Sequence, residues 1–136
     1  MARRGGQNAG EPSQRQLRAG ELVRHALVDV LAREDLHDVD LDGVMVTIGE
    51  VRCSPDLRHA HVFCSPLGAG SREQIDKVAE ALNRAAPFLR GKLGRQIEMK
   101  FTPQLHFIAD HSYDDASDMD AVFRRAEVAR DLKRDD

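Results

Sequence analysis

At 136 residues the chain suits one domain with a single core and leaves little room for a second. Hydrophobic residues at 41% and charged residues at 32% describe a globular chain, while aromatics at 4% with no Trp argue against an aromatic-lined ligand cleft and against RNA recognition by stacking on exposed rings. Two cysteines are too few for a disulfide framework, no apolar run follows Met1-Ala2-Arg3-Arg4, and no stretch approaches ~20 apolar residues, so the expectation is a cytoplasmic chain without signal peptide or membrane span.

Residues 1–12 are polar and Gly-containing and read as a flexible basic N-terminal arm. Ser13 and Gln16 then form a capping-box pattern, in which each side chain satisfies an orphan donor at a helix start. Leu22, Val23, Ala26, Leu27, Val30 and Leu31 follow with helical spacing, so a first helix is predicted over about 14–34 with one buried face. An acidic segment to Asp42-Gly43 is a loop.

From Val44 the period changes to two. Val44, Val46 and Ile48 alternate with Met45 and Thr47 as a strand, with Gly49 marking a bulge. Ser54-Pro55-Asp56 suits a tight turn, because Pro presets φ at the first central position. A second strand over about 57–65 puts Ala60, Val62 and Cys64 on one face and His59, His61 and Phe63 on the other, completing a β-hairpin. After the loop 65–70, Ser71 and Gln74 repeat the capping-box pattern, and Ile75, Val78, Ala79 and Leu82 carry a second helical stripe.

That helix must break at Ala85-Ala86-Pro87, since Pro87 has no N–H to donate and its ring pushes Ala86 away from helical geometry. A third helix is predicted to start at Pro87, turn Phe88, Leu89 and Leu93 inward and stop at Gly94. The last strand is expected to hold Met99, Phe101, Leu105 and Phe107, with Pro103 limiting its pairing. Residues 113–136 read as an acidic loop, a short helix opened by Ser117 and Asp120, and a charged tail.

The net charge of −3 hides an uneven distribution. Residues 84–100 hold five basic groups and one acidic, and residues 1–24 five basic and two acidic, whereas 101–120 hold five Asp and no base. Screening over roughly 10 Å makes a nucleic acid respond to the local patch. The candidate RNA-binding residues are Arg84, Ala85, Ala86, Pro87, Arg90, Lys92, Arg95 and Lys100, extended by Arg15, Arg18 and Arg24 on the first helix. The start of a helix favours phosphate through its free N–H groups and dipole. Contact with about four phosphates would give a log–log salt slope of roughly −3.

Other motifs carry less. Gly91-Lys92-Leu93-Gly94 fits a nucleotide-clamping Gly-x-x-Gly pattern, but lies at the end of the third helix, not between the second and third. Cys53, Cys64, His59 and His61 are zinc-ligand types, yet Cys64 falls on the opposite strand face from the histidines, so no metal site is expected. Gly68-Ala69-Gly70-Ser71 lacks the Gly-Lys-Ser/Thr ending of a phosphate loop. Asp110, Asp114, Asp115, Asp118 and Asp120 lack the Gly and terminal Glu of an EF-hand. No catalytic triad can be placed and no cofactor is called for.

The order α-β-β-α-α-β is that of a type II KH-like α+β domain, a three-stranded sheet with helices on one face, here spanning 13–112. Three strings narrow the resemblance: Val51 to Val62 (VRCSPDLRHAHV), Ala81 to Gly94 (ALNRAAPFLRGKLG) and Pro103 to Asp110 (PQLHFIAD). In that order they resemble the hairpin, helix–kink–helix and closing strand of the bacterial ribosome-binding factor A family. The resemblance implies a non-enzymatic, monomeric protein that binds the immature 30S small ribosomal subunit. It also implies help in 5′-end processing of the 16S rRNA precursor, notably in the cold, with a ribosome-associated GTPase as a further partner. In that family an Ala-centred kink, here at Ala85, replaces the Gly-x-x-Gly loop, and Pro87 stands where Gly is common. Two alternatives remain: an adaptor whose acidic surfaces bind a basic protein, and a small enzyme using His59 or His61.

Overall fold

The computed structural model of the protein describes residues 11–68 and 70–112. The predicted arm up to residue 10, and the acidic loop, helix and tail at 113–136, lie outside the described residues.

Helix α1 spans Gln14–Arg33, strand β1 Val46–Cys53, strand β2 His59–Pro66, helix α2 Arg72–Arg84, helix α3 Ala86–Gln96 and strand β3 Gln104–Ala109, with a short 3-10 turn at Val39–Leu41. This is the predicted α-β-β-α-α-β order. β2 is the central strand, antiparallel to β1 and parallel to β3. The pairing of β1 slips between Ile48 and Glu50, so Gly49 is the bulge expected there.

Both capping boxes form. Ser13 Oγ accepts from the Gln16 amide at 3.1 Å and Gln16 Oε1 accepts from the Ser13 amide at 2.9 Å, with the same exchange between Ser71 and Gln74. Gln16 does more than cap: its side-chain N–H also donates to the Cys53 carbonyl at 2.9 Å, tying the start of α1 to the end of β1. Farther along α1, a Cβ on Gly20 would stand only 2.5 Å from the Val51 carbonyl oxygen. Only a residue with no side chain lets the helix cross the strand so closely.

The core lies between the three helices and one face of the sheet. Val23, Leu27 and Val30 of α1, Val78 and Leu82 of α2, and Leu89 and Leu93 of α3 meet Ala60, Val62 and Cys64 of β2 and Leu105 and Phe107 of β3. Each fully buried Leu is worth roughly 1.5–3 kcal/mol of transfer free energy, and on the opposite strand face His61 is exposed while His59 and Phe63 are half-buried. Asn83 pins α2 to β3 by bonding both backbone groups of one residue: its amide N–H donates to the Phe107 carbonyl and its carbonyl accepts from the Phe107 amide, each at 2.8 Å.

Several expectations need correction. β1 begins at Val46, not Val44, and β2 at His59, after the turn has closed. Leu22, placed on the inner stripe of α1, is 43% exposed, while Ala19 and Gly20 are buried in its stead. α3 does not stop at Gly94 but runs on to Gln96, where Ile97 ends it. Gly94 matters for another reason: a Cβ there would lie 2.9 Å from Thr102 Oγ1, so its bareness lets the following loop lie against the helix. Met99 and Phe101 precede β3, because buried Pro103, with no N–H to give, delays pairing until Gln104. Phe88 and Phe101 are not core residues; they are 47% and 43% exposed.

Candidate nucleic-acid interface

The break between α2 and α3 centres on Ala85, with φ −91° and ψ 1° in the sparsely used bridge region. Its amide still donates to the Ala81 and Leu82 carbonyls at 3.2 and 3.1 Å, finishing α2, while its own carbonyl accepts from Leu89 at 2.9 Å, beginning α3. Ala86 is thus the first residue of α3, one earlier than predicted, and Pro87 sits in the first turn where its missing N–H costs nothing. No side chain caps the N-terminus of α3. Pro87 and Phe88 are exposed beside it.

The expected cations divide into two groups. Arg84 is committed inside the molecule: its guanidinium donates to both Asp38 oxygens and to Asp40, each at 3.0 Å. These bonds hold the Asp38 carboxyl below its usual range and push Arg84 above its own. Lys92 stands 3.6 Å from Glu34 and 5.5 Å from the Phe88 ring, and Arg24 is bonded to Glu21 at 2.9 Å. These three are therefore not free positive charges, which spacing alone could not reveal.

Arg15, Arg18, Arg90, Arg95 and Lys100 have no acidic partner among the described residues. Arg15 and Arg18 are exposed one turn apart on α1. Arg90 donates through Nε and Nη2 to the Thr102 carbonyl at 3.1 and 2.8 Å, so it clips the loop between α3 and β3 while keeping its charge uncompensated. In that loop Lys100 Nζ lies 5.7 Å from the centre of the Phe101 ring. Sequence reasoning missed Arg58, whose guanidinium carbon sits 4.1 Å over the same ring. No local signal marks it, because Arg58 belongs to the hairpin and meets Phe101 only once β2 and β3 are side by side.

Arg58 is held firmly. The turn closes through the Leu57 amide on the Ser54 carbonyl at 2.8 Å, with Leu57 at φ 62°. The Asp56 carboxylate accepts from Ser54 Oγ at 2.7 Å and from the Arg58 amide at 3.0 Å, and the Arg58 carbonyl accepts from the Gln104 amide at 2.8 Å.

The hairpin histidines do not form a metal centre. His59 Nδ1 and His106 Nε2 are 2.9 Å apart, and His61 stacks on His106 with ring centres 5.1 Å apart. The buried Cys64 thiol lies on the other face, and among the described residues no three His, Cys, Asp or Glu side chains converge as ligands. Burial first, then the His61 and His59 rings, push the His106 imidazole below its ordinary value. Among the described residues no helix is long and apolar enough to cross a membrane.

Comparison with known proteins agrees with this architecture. The family model described as ribosome-binding factor A matches residues 15–123. A ribosome-binding factor A from Hyphomonas neptunium is 59% identical over 124 residues, covering 91% of this chain and 92% of that protein. One from Maricaulis maris is 58% identical over 132 residues, covering 97% and 92%. Among solved structures, a ribosome binding factor A from Thermotoga maritima superposes with a TM-score of 0.60 at 28% identity, covering 75% of this chain and 92% of that one. A homology model of the Thermus thermophilus ribosome binding factor A, described as fitted into the cryo-electron microscopy map of its 30S complex, shares the fold with a TM-score of 0.51 at 23% identity over 68% and 91% of the two chains. The chain belongs to the ribosome-binding factor A family.

Proposed function

We propose that the protein binds rRNA on the immature 30S ribosomal subunit, using the kinked α2–α3 junction for shape and the uncompensated cations for phosphate. The observation that carries this is the segregation of charge. Arg84 and Lys92 are tied to acids, whereas Arg90, Arg95 and Lys100 on α3 and the loop after it, with Arg15 and Arg18 on α1, are not. Phosphate contacts position a protein without specifying sequence, so selectivity would come from fitting one site on a folded subunit. Membership of the family, and the 30S complex described for the Thermus thermophilus relative, support the small subunit as the target.

The finer reading is a non-enzymatic, monomeric, cytoplasmic factor built on residues 13–112. It assists 5′-end processing of the 16S rRNA precursor and cold adaptation, and a ribosome-associated GTPase triggers its release. The basic arm 1–12 and the tail 113–136 are auxiliary to it. The competing reading, an adaptor with open acidic surfaces, is weakened because Asp38 and Asp40 are already engaged by Arg84. Gradient sedimentation of cell extract tests the proposal. The protein should travel with free small subunits, and reversing Arg90, Arg95 and Lys100 to Glu together should return it to the top. Wild-type protein remaining at the top at low salt would refute it.

A further inference from the structure

Phe88, expected to face inward, and Phe101, expected within the last strand, are both half exposed, and Phe101 is surrounded by a built site. Phe101 is 43% exposed, with the Arg58 guanidinium 4.1 Å over its ring and the Lys100 ammonium 5.7 Å away. Neither cation forms an ion pair among the described residues; Asp56, the near acid, accepts from Ser54 Oγ and the Arg58 amide and feels the Arg58 charge without direct side-chain contact. The loop that bears the ring is pinned on every side. Arg90 holds the Thr102 carbonyl, Gly94 admits Thr102 against α3, Pro103 is buried, and Gln104 is bonded to Arg58.

A single exposed apolar side chain is ordinary; what sets Phe101 apart is the two cations held against its ring. Here three separate segments, the hairpin turn, α3 and the loop, cooperate to display the ring. We infer that Phe101, with Arg58 and Lys100, is a stacking platform for an unpaired base of single-stranded RNA. The inference rests on the RNA-binding reading above, adds base contact to what was argued there as phosphate and shape alone, and departs from the expectation that the 4% aromatic content leaves no exposed ring for stacking.

The chemistry favours a nucleobase over an acidic protein segment. A carboxylate is recognised by the N–H edge of a guanidinium, whereas the Arg58 guanidinium carbon lies 4.1 Å over one face of the Phe101 ring, so a base would stack on the other face of the ring or on the guanidinium itself. Every base has a π face, so such a platform takes any base, while the adjacent Lys100 serves the phosphate that accompanies it. Duplex RNA is excluded, because its base faces are already stacked. The platform lies on the α3–β3 loop and the hairpin turn, apart from the Ala85 kink, so one strand touching both would be held at two points.

The absence of Trp from the sequence supplies a reporter: Phe101→Trp makes a single-Trp protein in the ring's own position. Its fluorescence should be quenched saturably by short single-stranded oligoadenylate, and left unchanged by an abasic ribose-phosphate strand of the same length or by polyglutamate. Phe101→Leu, which keeps apolar cover outside every helix and strand, should melt like the wild type yet bind oligoadenylate roughly 5- to 100-fold more weakly. Equal affinity of Phe101→Leu, or equal quenching by the abasic strand or polyglutamate, would overturn the inference. Co-sedimentation of the wild type with small subunits separates the two failures. If it persists while Phe101→Leu loses nothing, only the stacking site falls; if it is absent, the RNA reading falls with it.

Discussion

Replacing Gly20 and Gly91 each by Ala should move stability in opposite directions, although both sit inside helices. Intrinsic propensity predicts a gain of about 1 kcal/mol for each, because Gly is the poorer helix former. Gly91 is exposed on α3 and a Cβ there meets nothing within 4 Å, so it should realise that gain. Gly20 is buried, and its added Cβ would stand 2.5 Å from the Val51 carbonyl oxygen. The neighbour is backbone of a paired strand, which cannot rotate away as a side chain could. α1 must lift off β1, loosening Val23 and Leu27 against the sheet, and overpacking of this kind costs about 1–3 kcal/mol. After the propensity gain, Gly20→Ala should lose up to about 2 kcal/mol, leaving the variants roughly 1–3 kcal/mol apart. Urea unfolding followed by far-ultraviolet circular dichroism measures this as a change in midpoint at constant slope. Gly20→Ala matching or exceeding Gly91→Ala would refute the close-approach argument. Unchanged binding to small subunits by Gly91→Ala would also support reading Gly91-Lys92-Leu93-Gly94 as helix, not clamp.

Two further outcomes follow from titration. Burial, reinforced by the charge of Asp110, pushes the Cys64 thiol up to about 12, and burial raises Cys53 too, so neither should react with iodoacetamide in native protein at pH 8, and both should do so in urea; a thiol alkylated in the folded state would contradict the packing. The His106 imidazole is depressed in the folded protein, so the unfolded chain takes up its proton first and stability, complete above about pH 6.5, should decline as pH falls through the folded value. His106→Gln should flatten that limb of the pH–stability curve, and an unaltered limb would remove His106 as its source.

What the sequence disclosed best was governed by neighbours a few residues away. The Ser13–Gln16 and Ser71–Gln74 caps, the alternation of Ala60, Val62 and Cys64, the bulge at Gly49 and the stop before Pro87 are all local devices, and the structure contains each. Phe88 was misplaced because an aromatic at roughly the right period looks inward unless the direction of the next segment is known, and Phe101 because the strand starts only after Pro103. Arg84 looked like the centre of a basic patch, yet its partners Asp38 and Asp40 lie more than forty positions earlier and reach it through the turn after α1. Arg58 was overlooked for the reverse reason: it sits in an acidic stretch, and only the parallel pairing of β2 with β3 carries it to Phe101.

These pairings explain how an acidic chain can present a positive surface. Acids and bases on the side formed by the end of α1, the 3-10 turn and the end of α2 cancel locally, through Arg84 with Asp38 and Asp40, Lys92 with Glu34, and Arg33 with Asp29. The exposed Arg33–Asp29 pair contributes little stability, whereas the bidentate hold of Arg84 on half-buried Asp38, shared with Asp40, is of the kind that contributes more; all of these pairs remove cations from the count available to a ligand. Arg58, Arg90 and Lys100 are left over because their partners are a ring and a carbonyl, which orient a cation without neutralising it. Among the described residues the cations left without an acidic ion pair thus lie on α3, the loop after it, the hairpin turn and the start of α1, whereas Arg84, at the bend itself, is neutralised. The bend at Ala85 supplies shape there, and the charge beside it supplies attraction. A substitution that freed Arg84 would shift the field back toward the bend without adding any charge to the sequence.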